Sequence, residues 1–181
     1  MPLVRLSLGL ETYSSKEGTT LIPKKIQPFF EMKAQKKIGS DSLIEGILTC
    51  CNSHDFEVFV VGEIKHSTFS RTCLIPENGE IGLKVRCKKC GRVISVFDSC
   101  CDGYEQCGNY QSTHISTKPV DCMKCQNDCF SVDVKYEYPD IQELEELEIT
   151  AIDNAFTWMW ITLACNRCGA IYKNFIDYET A

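Results

Sequence analysis

Six cysteines of this sequence form three pairs, and two residues separate the members of each pair. The pairs are Cys87 with Cys90, Cys122 with Cys125, and Cys165 with Cys168. Two intervening residues let a tight turn direct both sulfur atoms at one tetrahedral metal ion. Glycine directly follows Cys90 and Cys168, and it permits the backbone conformation that closes such a turn. Each pair therefore indicates one half of a four-ligand metal site.

Three pairs make one and a half sites, and the missing half is predicted in the stretch LTCCNSHDFEVFVV, residues 48–61. Cys51 and His54 have the same spacing as the cysteine pairs, and histidine is an ordinary zinc ligand. Two alternatives stay open. Cys50 could replace Cys51 as the thiolate, and a cysteine of residues 100–107 could replace His54.

The sequence thus predicts two structural Zn²⁺ ions. The predicted ligands are Cys51, His54, Cys87 and Cys90 for the first ion, and Cys122, Cys125, Cys165 and Cys168 for the second. Of the remaining cysteines, Cys100, Cys101 and Cys107 are the alternative group for the first site, Cys129 is a reserve ligand, and Cys73 is expected to be a plain buried thiol.

The cysteine content supports metal over disulfides. The chain of 181 residues has 13 cysteines, an odd number that internal disulfides cannot fully pair. The first residues lack the pattern of a cleaved leader, and no stretch approaches the apolar length of a membrane span. We therefore expect a cytoplasmic protein, in which thiols bind metal more often than they form disulfides.

The sequence also contains an internal duplication. The half-site at 51–54 precedes the alternating run FEVFVV, and the half-site at 122–125 precedes the alternating run FSVDVKYEY. The later half-sites match as well, because VRCKKCGRVISVFDS and LACNRCGAIYKNFIDYE each pass from one apolar strand through a C-x-x-C-G turn to another. We predict a mainly β fold, a small α+β protein of two tandem zinc-ribbon-like units.

The connections within the two units are predicted to differ. In the first unit, Asn78-Gly79 between apolar segments indicates a β-hairpin, because both residues tolerate positive φ, and a meander is expected to lead back to Cys87. In the second unit, Ile141, Leu144 and Leu147 recur at helical spacing after Asp140, a favourable N-cap, which predicts a short inserted acidic helix.

We divide the chain into an N-terminal extension of residues 1–49, a first zinc-ribbon-like unit of residues 50–121 and a second unit of residues 122–181. In the extension, residues 4–10 suggest a strand and residues 27–38 a short helix starting after Pro28. The segment DSLIEGIL, residues 41–48, fits a helical turn or a strand that leads to Cys50.

The segment CKKCGRVISVFDSCCDGY, the later CNRCG and the closing DYETA resemble a set of uncharacterised bacterial proteins. Those proteins carry paired zinc-ribbon-like knuckles and a phenylalanine-aspartate then glycine-tyrosine signature. The resemblance covers approximately residues 48–181. It implies metal binding by the six cysteines of the C-x-x-C pairs, and it implies no activity.

Two further features could contact a partner. The loop FDSCCDGYEQCG gathers Asp98, Asp102, Tyr104 and Glu105 beside a predicted metal turn; an Asp-Gly turn is its ordinary interpretation, and a catalytic or recognition loop is the alternative. Trp158 and Trp160 alternate on one face of the strand AFTWMWITLA. Core packing is their default prediction, and an aromatic interaction surface is the alternative.

Charge is distributed unevenly along the chain. Residues 122–181 carry four basic and eleven acidic residues, a net charge of −7, whereas residues 50–121 carry −1 and residues 1–49 carry +2. Thiolate sites add negative charge, so the second unit should repel a phosphate backbone. The candidate basic patch consists of Lys84, Arg86, Lys88, Lys89 and Arg92.

From these features we predict a non-catalytic zinc-binding protein that acts as a protein–protein interaction module, such as an inhibitor or immunity-type protein. One alternative is a nucleic-acid-binding zinc ribbon that uses the basic patch near residues 84–92. The other is a metal-dependent hydrolase with one incompletely filled site. No membrane partner is expected, and the oligomeric state is left open.

Overall fold

The computed structural model describes residues 21–66, 71–105 and 119–180. Its strands are β1 Phe30–Ile38, β2 Asp41–Leu48, β3 Phe56–Val61, β4 Glu63–His66, β5 Thr72–Ile75, β6 Gly82–Cys87, β7 Val93–Asp98, β8 Phe130–Tyr138, β9 Trp158–Cys165 and β10 Ile171–Glu179. Within these ranges there is one α-helix, α1 Ile141–Glu146, and there are 3₁₀ turns at Gln27–Phe29 and Ile152–Asn154. The predicted mainly β fold with a short inserted helix is confirmed.

Eight strands form one antiparallel sheet in which β8 is the central member. The strand order is β1-β2-β8-β3-β6-β7, and β9 pairs with both β8 and β10. Strands β4 and β5 pair only with each other in a separate hairpin. Strand β8 therefore contacts strands from both ribbon-like units and from the N-terminal extension.

The two ribbon-like units have equivalent strand layouts. In the first, β3 pairs with β6 and β6 pairs with β7; in the second, β8 pairs with β9 and β9 pairs with β10. The β4–β5 hairpin lies in the connection between β3 and β6. Helix α1 and a 3₁₀ turn lie in the equivalent connection between β8 and β9.

The predicted helix forms, and the predicted hairpin at Asn78-Gly79 forms only as a turn, because β5 and β6 on either side of it do not pair with each other. Asn78 and Gly79 have φ angles of 53° and 84°, and Glu77 and Glu80 on either side exchange backbone hydrogen bonds of 2.9 and 3.0 Å. This is a two-residue turn of the I′ kind, although the strands beside it pair elsewhere. Helix α1 begins after Asp140, whose carboxylate accepts a hydrogen bond of 2.9 Å from a backbone amide of the first turn.

The predicted helix over residues 27–38 is wrong. A 3₁₀ turn containing Pro28 is followed by β1, which pairs with β2 along its length. The segment is rich in good helix formers, but cross-strand pairing overrides that preference. Residues 41–48 form a strand, one of their two predicted alternatives, and the predicted strand at 4–10 lies outside the described residues.

The hydrophobic core is continuous along the sheet. Strand β8 alternates buried and half-buried residues along its whole length, as a strand with one covered face should. The buried cluster also takes in Leu21, Ile22 and Ile26 from the N-terminal extension and residues of both ribbon-like units. The core thus crosses both predicted domain boundaries, which themselves stay a prediction. No helix in the described ranges is long and apolar enough to span a membrane.

Candidate metal centres

The structure brings eight cysteines together in two groups of four. The first cluster is Cys50, Cys51, Cys87 and Cys90, and the second cluster is Cys122, Cys125, Cys165 and Cys168. Within each cluster the four Sγ atoms all lie within 4.8 Å of one another. In each ribbon-like unit, the turn before the first strand meets the turn between the last two strands. The described residues thus contain two four-cysteine groups that could hold metal ions.

The distances between sulfur atoms match those around a tetrahedral ion. In the first cluster, the Sγ atom of Cys50 lies 3.6 Å from that of Cys90 and 3.8 Å from that of Cys51. In the second cluster, each cysteine of the first turn has a sulfur of the second turn 3.6 Å away. Four sulfurs at about 2.3 Å from one ion lie about 3.8 Å apart, whereas a disulfide bond is about 2.05 Å long. The donor atoms therefore fit a thiophilic divalent ion.

Three of the four half-sites share one backbone turn. In the turn that starts at Cys87, the Gly91 amide donates to the Cys87 carbonyl at 2.8 Å, and the Cys87 amide donates to the Arg92 carbonyl at 2.9 Å. The turns that start at Cys122 and Cys165 repeat both hydrogen bonds. The fifth residue of each turn has a positive φ, 75° at Gly91, 57° at Gln126 and 70° at Gly169. The C-x-x-C spacing therefore corresponds to one recurring structure.

The fourth half-site folds differently. Cys50 and Ser53 exchange backbone hydrogen bonds of 2.9 and 3.0 Å, and the residues between them, Cys51 and Asn52, have φ angles of 55° and 56°. These angles define a two-residue turn of the I′ kind. The turn directs two adjacent side chains toward Cys90, so Cys50 and Cys51 both contribute a sulfur where the sequence predicted one or the other.

His54 lies outside the first cluster, and Cys50 is the fourth member in its place. The Nδ1–H of His54 donates to the carbonyl oxygen of Leu48 at 2.9 Å, which ties the ring to the backbone. His54 was predicted as a ligand because it follows Cys51 at the C-x-x-C spacing, with two residues between them. The signal for adjacent ligands is Asn52, because asparagine tolerates the positive φ that a turn of this kind needs.

The thiols of the second cluster differ in pKa. Burial, together with the neighbouring thiols, raises the pKa of Cys125 to about 12. Burial acts in the same direction on Cys122, but hydrogen bonds from the Tyr172 hydroxyl and from backbone amides lower its pKa to about 6. Adjacent thiolates repel one another, so hydrogen bonding favours the ionised form of some of these thiols while burial disfavours that of others.

The first cluster shows the same spread. A hydrogen bond from the Arg92 amide lowers the pKa of Cys90 to about 7, with help from the Cys51 thiol. Burial and hydrogen bonds with Cys90 and Cys51 raise the pKa of Cys50 to about 12. Hydrogen bonds from backbone amides thus favour the thiolate of Cys90 in the first cluster and those of Cys122 and Cys165 in the second.

Tyr172 is the main difference between the surroundings of the two clusters. Its hydroxyl lies 3.2 Å from Cys122 Sγ and accepts a hydrogen bond of 2.8 Å from the Met123 amide. Burial raises the pKa of Tyr172 to about 12, so the hydroxyl keeps its proton and can donate it to the thiolate. The equivalent residue of the first unit is Ile94, which has no donor. Sequence reasoning missed Tyr172, although aligning the two C-x-x-C-G turns could have found it.

The two units meet at equivalent residues. Phe56 and Phe130 pair with each other, and each also pairs with the first cysteine of its own unit's C-x-x-C-G turn, Cys87 and Cys165. Both phenylalanines are fully buried. Because equivalent residues face each other in an antiparallel pair, the two clusters lie on either side of an approximate two-fold axis.

Reciprocal side-chain contacts flank this axis. Lys88 Nζ lies 3.0 Å from a carboxylate oxygen of Asp128 in the second unit, and the side-chain amide of Asn166 donates to Asp55 in the first unit at 2.6 Å. Lys88 and Asn166 occupy equivalent positions in their turns. Hydrogen bonds from these partners lower the pKa of both Asp128 and Asp55. The turns of the two clusters are thus joined by polar contacts between side chains at similar positions of the two units.

Most members of the candidate basic patch have partners within the protein. Arg86 and Lys88 both pair with Glu57, and the Arg86 guanidinium lies 5.2 Å from the centre of a phenylalanine ring. Lys89 donates to a backbone carbonyl at 2.9 Å, and Arg92 lies over another phenylalanine ring at 5.5 Å. These contacts reduce the charge that the patch offers to a phosphate backbone.

The remaining described cysteines lie outside both clusters. They are Cys73, Cys100, Cys101 and Cys129, and Cys107 falls outside the described residues. Cys129, the predicted reserve ligand, has its Sγ 3.6 Å from a carboxylate oxygen of Asp55. It therefore belongs to the contact between the two units.

The alternative catalytic segment, residues 97–108, is described as far as residue 105, and this part contacts the end of the chain after β10. Buried Asp102 accepts a backbone hydrogen bond of 2.7 Å within the loop and pairs with Lys25. Gly103 has a φ of 96° and lies so close to Thr180 that a Cβ atom there would meet the Thr180 side chain at 2.3 Å. The Tyr104 amide also donates to Thr180, at 3.2 Å. These contacts support the ordinary interpretation of the loop as a structural turn.

Trp158 and Trp160 lie on the outer face of β9, outside the hydrophobic core. Their rings stack with centroids 5.7 Å apart and an interplanar angle of 11°. Each ring is half-buried, whereas the residues that alternate with them face the core. This corrects the default expectation of core packing and favours the alternative, an aromatic surface.

Comparison with protein-family models finds no match to this chain, and comparisons with curated proteins and with solved structures find no significant match. The resemblance to bacterial proteins with paired knuckles stays a prediction.

Proposed function

We propose that each cluster binds one structural Zn²⁺ ion, and that the protein acts without catalysis by binding another protein. The supporting observation is that each cluster supplies four cysteine sulfurs within 4.8 Å of one another. Four thiolates complete a tetrahedral shell, whereas a catalytic zinc keeps one position for water or substrate. The four-sulfur sets thus favour a structural role over the hydrolase alternative.

Zinc fits these clusters on chemical grounds. Thiolate ligands in a tetrahedral set select zinc or iron–sulfur chemistry, and zinc is the usual ion where two C-x-x-C half-sites meet in a ribbon. Each small unit has few strands, so ion binding would supply folding free energy directly. Removing the ions is expected to unfold the sheet around both clusters.

A protein partner is supported by the character of the second unit. This unit carries the net charge of −7, and its Trp158 and Trp160 lie outside the hydrophobic core. Tryptophan is enriched at protein–protein interfaces relative to the rest of the surface. An inhibitor or immunity-type role would fit such an acidic surface, because inhibitors of basic proteins use complementary charge.

The metal part of the proposal is tested on the purified full-length chain. Elemental analysis should find two zinc ions per chain, and X-ray absorption should find four sulfur ligands for each at about 2.3 Å. A Cys73→Ser variant, outside both clusters, is the matched control and should keep both ions. A folded chain without metal would refute the proposal, and a site with an oxygen or nitrogen ligand would favour the hydrolase.

Nucleic-acid binding is tested separately at low salt by electrophoretic mobility. The double variant Lys88→Glu with Lys89→Glu reverses the charge of the basic patch. We expect no binding by either protein, because these lysines have partners within the chain. Salt-sensitive binding that the double variant abolishes would support the nucleic-acid alternative instead.

A further inference from the structure

One row of side chains across the outer face of the sheet already binds a cation of the protein itself. In the register of β8, β9 and β10, Trp160 lies between Lys135 and Asp177. Lys135 Nζ lies 4.4 Å from the centre of a Trp160 ring, and Arg71 pairs with the Asp177 carboxylate at 3.3 Å. The aromatic ring and the carboxylate of this row thus both have a cationic partner.

The next row along β9 has the same character but lacks the cation. This row, here named the Trp158 row, consists of Glu179, Trp158 and Glu137. Among the described residues, neither glutamate forms an ion pair and no cation lies over the Trp158 ring. Beyond Glu137 the row continues with Leu43, and Lys36 follows only on the edge strand β1.

The Trp158 row is accessible from outside the sheet. Glu179 is exposed, and Trp158 and Glu137 are half-buried on the outer face. Directly opposed side chains on neighbouring strands have Cβ atoms about 5 Å apart, so both carboxylates flank the indole ring at close range. Trp160 stacks on one face of the Trp158 ring, so a cation placed on the other face would be within reach of a carboxylate of the row.

We propose that the Trp158 row binds an arginine side chain of a partner protein. A guanidinium is planar and stacks on an aromatic face, and its fork of N–H donors matches a carboxylate, so one arginine can satisfy the ring and a glutamate together. A lysine ammonium is a compact and strongly hydrated charge without a planar fork, so it should satisfy the ring and a carboxylate together less well. The inference rests on the proposed function, because it names the surface and the chemistry through which the partner is bound.

The charge of the surroundings supports a basic partner. The second unit carries the net charge of −7, and the outer face beside the row adds Asp177, Asp133 and Glu45. Lys33 pairs with Asp133 and Arg71 with Asp177, and the Trp158 indole N–H donates to the same Asp177 at 2.9 Å. The two glutamates of the Trp158 row, like Glu45, have no ion pair among the described residues, and unlike Glu45 they lie directly opposite a tryptophan. Complementary charge accelerates the association of a basic partner and disfavours acidic ones.

The test uses the zinc-loaded full-length protein and three capped glycine pentapeptides that carry one central arginine, lysine or citrulline. Binding is followed through the indole N–H signals of Trp158 and Trp160 by NMR. The arginine peptide should shift the Trp158 signal, the lysine peptide should bind at least about fivefold more weakly, and the neutral citrulline peptide should not bind. Glu137→Gln and Glu179→Gln should each raise the Kd of the arginine peptide several-fold.

Glu45→Gln is the matched control, because it removes an exposed carboxylate of the same face outside the Trp158 row and should leave the Kd unchanged. Equal binding of the citrulline peptide, or an unchanged Kd in both glutamate variants, would overturn the proposal. The proposal would also be overturned if the Trp158 signal did not respond to the arginine peptide but shifted on addition of an oligosaccharide or on self-association of the protein. Zinc is measured on the same samples: two retained ions with no arginine binding refute this inference alone, and a folded metal-free protein refutes the proposed function.

Discussion

The two clusters have the same kind of ligands but differ in what surrounds them. In the first cluster Cys51 and Cys90 are exposed, and a tight turn supplies two adjacent cysteines. In the second cluster no cysteine is exposed, and Tyr172 donates a hydrogen bond toward Cys122. The two clusters thus have four sulfurs each but differ in how these are protected, so we expect the second cluster to hold a metal ion more firmly.

The largest expected effect comes from removing a buried ligand of the second cluster. Cys165→Ser should release one zinc ion and destabilise the protein by on the order of 5 kcal/mol or more, because structural zinc supplies folding free energy and this cysteine ends β9 beside β8. Elemental analysis and thermal unfolding by circular dichroism measure both effects.

Cys51→Ser is the corresponding change in the first cluster. The loss of unfolding free energy should be smaller than for Cys165→Ser, because Cys51 is exposed and lies in a turn before β3, outside the central strands. An equal or larger loss of stability in Cys51→Ser would contradict the difference between the clusters. Cys73→Ser, in neither cluster, should retain both ions.

An intermediate effect is expected on zinc retention. With a competing chelator in excess, zinc should leave in two phases, and the fast phase should disappear in Cys51→Ser, which lacks the first ion. Tyr172→Phe removes the hydroxyl beside Cys122 and should weaken the second site about tenfold, as changes in groups that contact metal ligands do. Absorbance of the zinc–chelator complex gives both rates. A single phase from the unmodified protein would show that the clusters are equally protected.

The smallest expected effect concerns the contact between the two units. Lys88→Met removes the ion pairs with Asp128 and Glu57, and we expect a loss of no more than about 1 kcal/mol, because Lys88 is partly exposed to solvent. The loss should shrink at high salt, which screens such pairs. Lys84→Met, a nearby lysine without an ion pair among the described residues, is the matched control. Denaturant unfolding at two salt concentrations measures the difference.

Local chemistry made much of the candidate site predictable. The C-x-x-C turns, the Asn78-Gly79 turn and the Asp140 cap depend on residues close together in sequence, and each forms where its residue types indicate. The internal repeat was predictable for the same reason, since in each unit similar local sequences form equivalent turns and strands. Seven of the eight predicted ligands lie in the two clusters, and Cys50 replaces His54.

What escaped prediction depends on distant partners. Residues 30–38 favour a helix by composition, and only pairing with β2 makes them a strand. Nothing near Phe56 indicates that it pairs with Phe130, 74 positions later, and nothing in the second C-x-x-C-G turn alone reveals that Tyr172 reaches back to Cys122. The joint presence of Cys50 and Cys51 in one cluster was missed for a local reason, because an I′ turn at Cys51 and Asn52 brings both sulfurs together without two residues between them.

The central position of β8 has a consequence for how the chain reaches this structure. Strand β2 needs β8 to cover one of its edges, and their paired residues Ser42 and Tyr138 are separated by almost a hundred positions. Pairings over such separations require a long loop to close first, so they form slowly. During synthesis the β1–β2 hairpin must therefore carry an open edge until most of the chain has emerged. Strand β1 closes the other side of β2 and stays at the outer edge of the finished sheet. Its lysines, Lys33, Lys36 and Lys37, place charge on that outer edge, and charged side chains are a common protection of edge strands against pairing with other chains.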